Sequence, residues 1–427
     1  MKTNVFAVIP DRIFTSLGNS YEYGKAVLVD GEEIVEVISV VDIPESVPRC
    51  TFKDCTLLPG LIDTHCHLED WAAPMFISYG ITTVRDTGNE LNWILAKKEE
   101  MERPEALGPS ILCCGPVLDG MPYFHPVISW GIKKDEDMLL AIEYLKSRKV
   151  DAIKLYVGLD LKKVEIAVEE CARRGLHLLG HFQGNVELID AIRAGVAEVE
   201  HFAGVPSFYS EEIIQEIIKK GAWAVPTQMV FEGLNFYINN KNEMQKDMDY
   251  IPTGIFKDYL REFYDVTTKN DPGFLISNAF FKNNREYIKG MIRLGGKIAS
   301  GTDAPCQFAF PGRSLFYELQ VFSECGMSNS DILKCATANA AELLGIDART
   351  GTIGKGKKAD MLIVEGDPLK ELSELRSIKC VYKKGYKHLS DEVLEKANPA
   401  AMPTNHLPNI SELATEFSDW KEKYLSF

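Results

Sequence analysis

The sequence has little that would mark an exported or membrane-spanning protein. No apolar run in its 427 residues approaches the roughly 20 residues that a membrane-spanning helix needs. The N-terminus carries a short apolar run that ends at Asp11, so we expect no secretory leader. The ten cysteines are scattered, without the spacing of a disulfide framework. These absences predict a cytoplasmic protein, not bound to membranes, with reduced cysteines.

Positive charge is also scarce. The chain has 47 lysine and arginine residues against 62 aspartate and glutamate residues, which gives a net charge of −15. Proteins bind phosphate backbones through basic stripes, and the sequence shows none, so we expect no nucleic-acid partner. The hydrophobic content of 45% is that of a globular protein with a large core. A small-molecule substrate is the expected partner, and assembly into a homo-oligomer stays open.

Hydrophobic patterning divides the chain into parts. Residues 1–57 and 350–390 hold short β-branched runs, and we expect them to fold together as a composite β-sandwich. Residues 58–349 alternate strand-like and helix-like segments. The strand candidates are 60–63, 82–85, 110–114, 152–156, 176–180, 197–200, 222–226 and 297–300. Eight strands fit a TIM barrel, so the predicted class is α/β, a distorted (β/α)8 barrel with a composite N- and C-terminal β-sandwich.

The predicted barrel carries a long insertion, at about 228–290, followed much later by a tail at 391–427. The insertion is rich in aromatic residues, namely Phe231, Phe236, Tyr237, Tyr250, Phe256, Tyr259, Phe263, Tyr264, Phe274, Phe280, Phe281 and Tyr287. Two interpretations stay open: helices that pack a core of their own, or a lid that gives a pocket an apolar wall. We expect the tail to be helical, with an amphipathic helix over 410–425.

A first pair of candidate metal ligands is His65 and His67. They follow the apolar run Leu57–Asp63 with only Cys66 between them. Residues two apart on a strand point to the same face, so both imidazoles can reach one ion. In a barrel that face opens at the C-terminal mouth, where active sites of this fold lie. Two surface histidines are the alternative, which the apolar strand disfavours.

Lys154 is a charged residue inside an otherwise apolar strand candidate, Asp151–Val157. Lysine is rarely buried unless its charge is compensated. One interpretation is a side chain whose stem is buried while its amine reaches the barrel rim. The other is a lysine that has reacted with carbon dioxide, because an ammonium cannot bind a metal whereas a carbamate offers two oxygens that could bridge two cations.

Three further candidates lie at the ends of later strands. His181 ends the strand before Phe182, His201 ends 197–200, and Asp303 follows the last strand candidate. Each alone is commonplace. Together with the first pair, they place four of the eight histidines at strand ends, which chance explains poorly.

These residue types suit divalent metals. Imidazole and carboxylate groups bind zinc, which we expect, and also manganese, iron or nickel. Two such cations would make a bridging water acidic enough to be hydroxide near neutral pH. Asp303 would be both a ligand and the general base and acid, taking the proton from the attacking oxygen and delivering it to the leaving nitrogen.

Several segments together resemble the signatures of the amidohydrolase superfamily. They are Pro59–His67 (Pro-Gly-Leu-Ile-Asp-Thr-His-Cys-His), Tyr79–Asp86, Val199–His201, Gly301–Pro305, Ala336–Ala340 and Gly351–Asp360. The resemblance covers about residues 25–385 and implies a distorted (β/α)8 barrel with a composite β-sandwich. It further implies that His65, His67 and Asp303 hold one metal, that His181 and His201 hold the other, and that carboxylated Lys154 bridges the two.

Within the superfamily, the chain is most similar to the imidazolonepropionase-like group with its Xaa-Arg and Xaa-Pro dipeptidases. That group often has Gly-Gly-His after the third strand, whereas this chain reads Leu-Asp-Gly-Met-Pro-Tyr-Phe-His-Pro over Leu118–Pro126. His125 is nevertheless a candidate to polarise the scissile carbonyl. Candidate substrate contacts are His125, Tyr156 and Tyr209, with Arg313 as a cation for a substrate carboxylate.

The sequence thus predicts a binuclear metal-dependent hydrolase that cleaves an amide or peptide-like C–N bond. A mononuclear deaminase, or an enzyme that opens a cyclic amide, is the nearest alternative. Such deaminases normally have a glutamate soon after the histidine of the fifth strand and no bridging lysine, whereas here Gln183 follows His181 and Lys154 is present. A metal-free scaffold is the non-enzymatic alternative, and the retention of all six ligands disfavours it.

Overall fold

The computed structural model describes residues 5–402 except 124, 126–127, 203–204, 206–208, 255–256, 259, 262–271 and 307, and for 272–282 it describes the backbone alone. The helix predicted over 410–425 and most of the predicted tail therefore lie outside the described residues. Within the described part, no helix is both long and apolar enough to cross a membrane.

The strands form three sheets. In chain order they are β1 (Phe6–Ile13), β2 (Glu22–Tyr23), β3 (Lys25–Asp30), β4 (Glu33–Ser39), β5 (Arg49–Pro59), β6 (Leu61–Cys66), β7 (Ile81–Asp86), β8 (Ser110–Cys113), β9 (Val117–Asp119), β10 (Ser129–Gly131), β11 (Ala152–Leu155), β12 (His177–Gly180), β13 (Glu198–Glu200), β14 (Trp223–Val225), β15 (Lys297–Ile298), β16 (Met361–Glu365), β17 (Ile378–Lys383) and β18 (Tyr386–His388). Each of the eight predicted barrel strands overlaps one of them.

Helices follow most of the strands in the middle of the chain. They are α1 (Ala73–Ser78), α2 (Leu91–Glu100), α3 (Asp135–Ser147), α4 (Leu161–Arg174), α5 (Leu188–Ala194), α6 (Glu211–Lys220), α7 (Gln228–Asn239), α8 (Lys241–Tyr250), α9 (Pro272–Leu294), α10 (Arg313–Glu324), α11 (Asn329–Cys335), α12 (Ala338–Leu343) and α13 (Ser390–Ala397). Local sequence sets their ends. In α4, for example, the Asp160 side chain accepts a hydrogen bond from the Lys163 backbone at 3.0 Å, and Gly175 ends the helix with a φ of 63°.

The two ends of the chain build one composite sheet. Its strand order is β18-β17-β16-β5-β1-β3-β4, with β2 paired to β1. The joint between the ends is the antiparallel pair β16 and β5, in which Met361 lies opposite Pro59 and Glu365 opposite Cys55. The β-rich runs at both ends of the sequence therefore pair directly, and β5 leads straight into β6, the strand that carries the first histidine pair.

The middle of the chain forms two parallel sheets, β6-β7-β8 and β10-β9-β11-β12-β13-β14-β15. Backbone hydrogen bonds join both edge strands of the three-stranded sheet to the larger sheet or its continuation: Asp151, next to β11, donates to Cys113 on β8 at 2.8 Å, and Thr64 on β6 donates to Ser300, after β15, at 3.0 Å. The strands β9 and β10 have no counterpart among the predicted strands. This alternation of parallel strands and helices is a mixed α/β fold, and it brings the C-terminal ends of successive strands to one side.

The described residues of the aromatic insertion form α7, α8 and α9. Tyr237 and Tyr287 are fully buried in the main hydrophobic core, together with Met248. A buried ion pair also holds this segment, because Arg313 Nε lies 2.6 Å from Asp247 in α8. Phe256, Tyr259, Phe263 and Tyr264 lie outside the described residues. These residues of the insertion therefore pack in the core. Only other residues of the insertion could form a pocket wall.

Candidate metal centre

The first histidine pair converges on Asp303. His65 and His67 lie at and just beyond the end of β6, and the Nε2 atoms of both rings approach Asp303 Oδ1, at 3.2 Å and 3.1 Å respectively. The three residues offer ligand atoms that all lie within 4.8 Å of one another. The Asp303 backbone has a φ of 63° and donates a hydrogen bond to the His65 carbonyl at 2.7 Å. This left-handed conformation, uncommon for aspartate, aims the carboxylate at the pair.

The other nitrogen of each ring is fixed by a hydrogen bond. His65 Nδ1 donates to Glu200 Oε2 at 2.6 Å, and His67 Nδ1 donates to the Gly88 carbonyl at 2.9 Å. A ring that donates through Nδ1 leaves the Nε2 lone pair available to a metal. Both imidazoles are therefore held in the form and orientation in which they bind a cation beside Asp303.

His201 and His181 lie next to this group. The His201 ring centroid is 4.6 Å from that of His65 and 5.0 Å from that of His181. His201 Nδ1 lies 2.5 Å from Thr227 Oγ1, and His181 Nε2 lies 3.4 Å from Gln183 Oε1. Four histidines from three separate strands thus form one cluster, as their positions at strand ends predict.

Lys154 is buried beside this cluster, and its amine makes no hydrogen bond to the described residues. Lys154 lies on β11 and is 2% exposed. The nearest acidic atom is Glu200 Oε1, at 3.9 Å. A buried ammonium without a hydrogen bond is costly. The histidines and Asp303, with this amine beside them, are residues that fit a metal centre.

The electrostatics of the cluster favour metal-binding forms. Burial lowers the pKa of His181 to about 3 and holds the pKa of His201 well below its usual range, so both rings are neutral. Burial also lowers the pKa of Lys154. Burial alone would raise the pKa of Asp303, but the adjacent His65 and His67 rings hold it well below its usual range. The neutral rings of His181 and His201 and the ionised Asp303 carboxylate are forms that bind a cation. Burial by itself would lower the pKa of His67, but the adjacent Asp303 carboxylate raises it.

Two of the predicted substrate contacts lie together at the cluster. His125 Nε2 is 3.1 Å from the Tyr156 hydroxyl, and the Tyr156 ring centroid is 4.7 Å from that of His181. His125 is exposed and Tyr156 partly buried. Both residues can therefore present a hydrogen-bond donor to a molecule that enters beside the histidines.

The other two predicted contacts have partners elsewhere. Arg313 contacts Asp247, Glu243 and the Tyr79 hydroxyl, so its charge is compensated inside the protein. The Tyr209 hydroxyl accepts a hydrogen bond from Arg293 at 3.2 Å, and its ring packs on that of Tyr287. The structure does not bring these two residues into the histidine cluster.

A buried charged layer behind the cluster was not predicted. It consists of Arg85 on β7 and of Glu198 and Glu200 on β13, all 0–1% exposed. Its one sequence signal is Glu198-Val199-Glu200, in which two acidic residues share one face of a buried strand. Acidic residues in a short segment are usually solvated, and their burial becomes visible only once Arg85 is placed opposite them.

Comparison with known proteins identifies the family. The model of the amidohydrolase family matches residues 56–387. Ochratoxinase of Aspergillus niger is 25% identical over 282 residues, which are 65% of this chain and 50% of that protein. The chain thus spans about half the length of the curated relatives that it matches.

Solved structures share the fold. A Xaa-Pro dipeptidase with bound methionine superposes with a TM-score of 0.72 and 19% identity over 90% of this chain and 99% of that one. Molinate hydrolase gives a TM-score of 0.71 and 19% identity over 96% of this chain and 100% of that one. The family match covers most of the chain, including every residue of the histidine cluster, so this chain belongs to the amidohydrolase family.

Proposed function

We propose that this chain is a binuclear metal-dependent hydrolase that cleaves a C–N bond of a small amide or peptide-like molecule. The observation that carries the proposal is the convergence of His65 and His67 on Asp303 beside Lys154, whose buried Nζ makes no hydrogen bond to the described residues. In this proposal His65, His67 and Asp303 hold one zinc ion, and His181 and His201 hold the second. Lys154, as a carbamate formed from carbon dioxide, would supply oxygen ligands to both ions.

We also propose that the two parallel sheets close into a distorted (β/α)8 barrel over 58–349, with the composite sheet as part of a β-sandwich over 1–57 and 350–390. The hydrogen bonds at both sheet edges support closure, because they link β8 to β11 and β6 to the segment after β15. A closed barrel gathers all six proposed ligands at one mouth, where active sites of this fold lie.

The chemistry of the site follows from the groups that it gathers. Two divalent ions would supply Lewis-acid polarisation of a carbonyl and lower the pKa of a bound water. Asp303 takes the proton of the attacking water as the C–O bond forms, and returns it to the nitrogen as the C–N bond breaks. His125 and the Tyr156 hydroxyl donate hydrogen bonds to the carbonyl oxygen as it gains charge.

The same site disfavours a mononuclear deaminase. The residue that follows His181 by two positions is Gln183, and its amide oxygen lies 3.4 Å from His181 Nε2. An amide cannot take up and return a proton as the glutamate of such deaminases does. Hydrolysis of N-acyl amino acids, dipeptides, lactams and aryl amides by zinc-loaded protein tests the proposed function, and deamination without amide cleavage would contradict it.

Asp303→Asn should lower kcat by about 10²–10⁴-fold, because asparagine keeps the shape but cannot accept and return a proton. The control is Asp360→Asn, which changes a buried aspartate that contacts Thr350 and Lys384 but no proposed ligand. Rates should be compared at equal zinc content. A near-normal kcat for Asp303→Asn with both ions bound would contradict the assigned role.

Lys154→Ala should abolish most activity and reduce the zinc content, because the anionic bridge between the two ions is lost. In the unsubstituted protein, recovery of activity after chelation should be faster when bicarbonate is added together with zinc. A crystal structure of the zinc-loaded protein that shows a free Lys154 amine away from both ions would contradict carbamylation.

Phe231→Ala should raise KM for an aryl amide about tenfold at unchanged zinc content. The Phe231 ring lies 6.0 Å from that of His201 and can form an apolar wall of the site. The control is Phe236→Ala on the same helix, because Phe236 packs on Tyr317 at 4.1 Å instead. Equal changes in KM for the two variants would show that α7 contributes packing alone.

A further inference from the structure

We propose that Glu200 is a positioning residue of the metal centre, which holds His65 so that Nε2 faces Asp303. The inference rests on the proposed function, since it concerns the same ions. Glu200 is fully buried at the end of β13, and its Oε2 accepts the hydrogen bond of His65 Nδ1 at 2.6 Å. This contact is much shorter than the 3.9 Å between its Oε1 and Lys154 Nζ, so His65 is its main partner.

The hydrogen bond selects one form of His65. An imidazole that donates through Nδ1 keeps its lone pair on Nε2, and Nε2 is the atom that lies 3.2 Å from Asp303 Oδ1. A charged acceptor also makes the ring a stronger electron donor to a bound cation. Glu200 therefore acts through His65 and does not need to contact a substrate.

Arg85 fixes Glu200 in turn. Its Nη2 donates to Glu200 Oε1 at 3.4 Å, its Nη1 donates to Glu198 Oε2 at 2.9 Å, and its Nε donates to the Thr64 carbonyl at 2.8 Å. A planar guanidinium bound at three points has little freedom to rotate. Arg85 thus links β13 to the backbone of Thr64, next to His65, and helps to hold the Glu200 carboxylate near the His65 ring.

Glu200→Gln, compared with Glu198→Gln, tests the inference. Both glutamates are 0% exposed, share one strand face and contact Arg85, but among the proposed ligands Glu200 bonds His65 and Glu198 bonds none. Zinc dissociation constants come from competition with a chelator on the full chain, and urea unfolding of the metal-free proteins measures stability. We expect zinc affinity to fall about 10–100-fold in Glu200→Gln and to stay near that of the unsubstituted chain in Glu198→Gln.

Equal losses of zinc affinity in the two variants, or no loss in Glu200→Gln, would overturn the inference while leaving the proposed function intact. Failure of the unsubstituted chain to bind zinc would instead contradict the proposed function, and the inference with it. If a variant does not fold, nitrogen-15 NMR of His65 in the zinc-loaded, unsubstituted chain decides. A protonated Nδ1 with zinc on Nε2 is expected, and zinc on Nδ1 would overturn the role of Glu200.

Discussion

The arrangement of the candidate metal centre depends on the close approach of one carboxylate oxygen, from Asp303, to two imidazole nitrogens. Asp303 Oδ1 lies 3.1–3.2 Å from the Nε2 atoms of His67 and His65, yet neither Asp303 Oδ1 nor His65 Nε2 has a hydrogen-bond partner in the described chain. Unsatisfied buried groups of this kind cost roughly 1–3 kcal/mol each, and more when charged. Lys154 Nζ adds a third such atom. A ligand that satisfies all three atoms at once would remove this cost, and the proposed divalent cations with a carbamate on Lys154 would do so.

The backbone is shaped to hold this arrangement. Both His201 and Asp303 adopt positive φ values, of 62° and 63°. His201 directly follows β13, and Asp303 lies in the segment after β15. Gly301 allows its segment to pack closely on β6 and β14, because a Cβ there would lie 2.6 Å from Val225 and 2.8 Å from His65. Behind the ligands, Arg85 and Glu200 fix the ring of His65. The backbone conformation, the close packing at Gly301 and the buried charged residues thus all help to position the side chains of His65 and Asp303.

Much of this was accessible from sequence, for definite reasons. Short runs of four or five residues with apolar positions mark the buried parallel strands, and each predicted barrel strand overlaps an observed one. Histidines at strand ends mark the cluster. The pair β9 and β10 was missed because turn residues interrupt the sequence there: Gly115-Pro116 and Gly120 flank β9, and Gly131 ends β10. Arg313 was assigned to a substrate because its partners, Glu243 and Asp247, lie some 70 residues away in the chain. The acidic pair on β13 was missed because its burial depends on Arg85, from a distant strand.

Zinc bound per chain, measured by mass spectrometry during stepwise reloading of metal-free protein and plotted against the rate of amide hydrolysis, is the most direct test of a binuclear centre. The ligand set predicts that the rate rises to its maximum only as the second equivalent binds, because His181, His201 and the Lys154 carbamate complete the site at that step. A rate that is already maximal at one equivalent, or that does not depend on zinc, would contradict it.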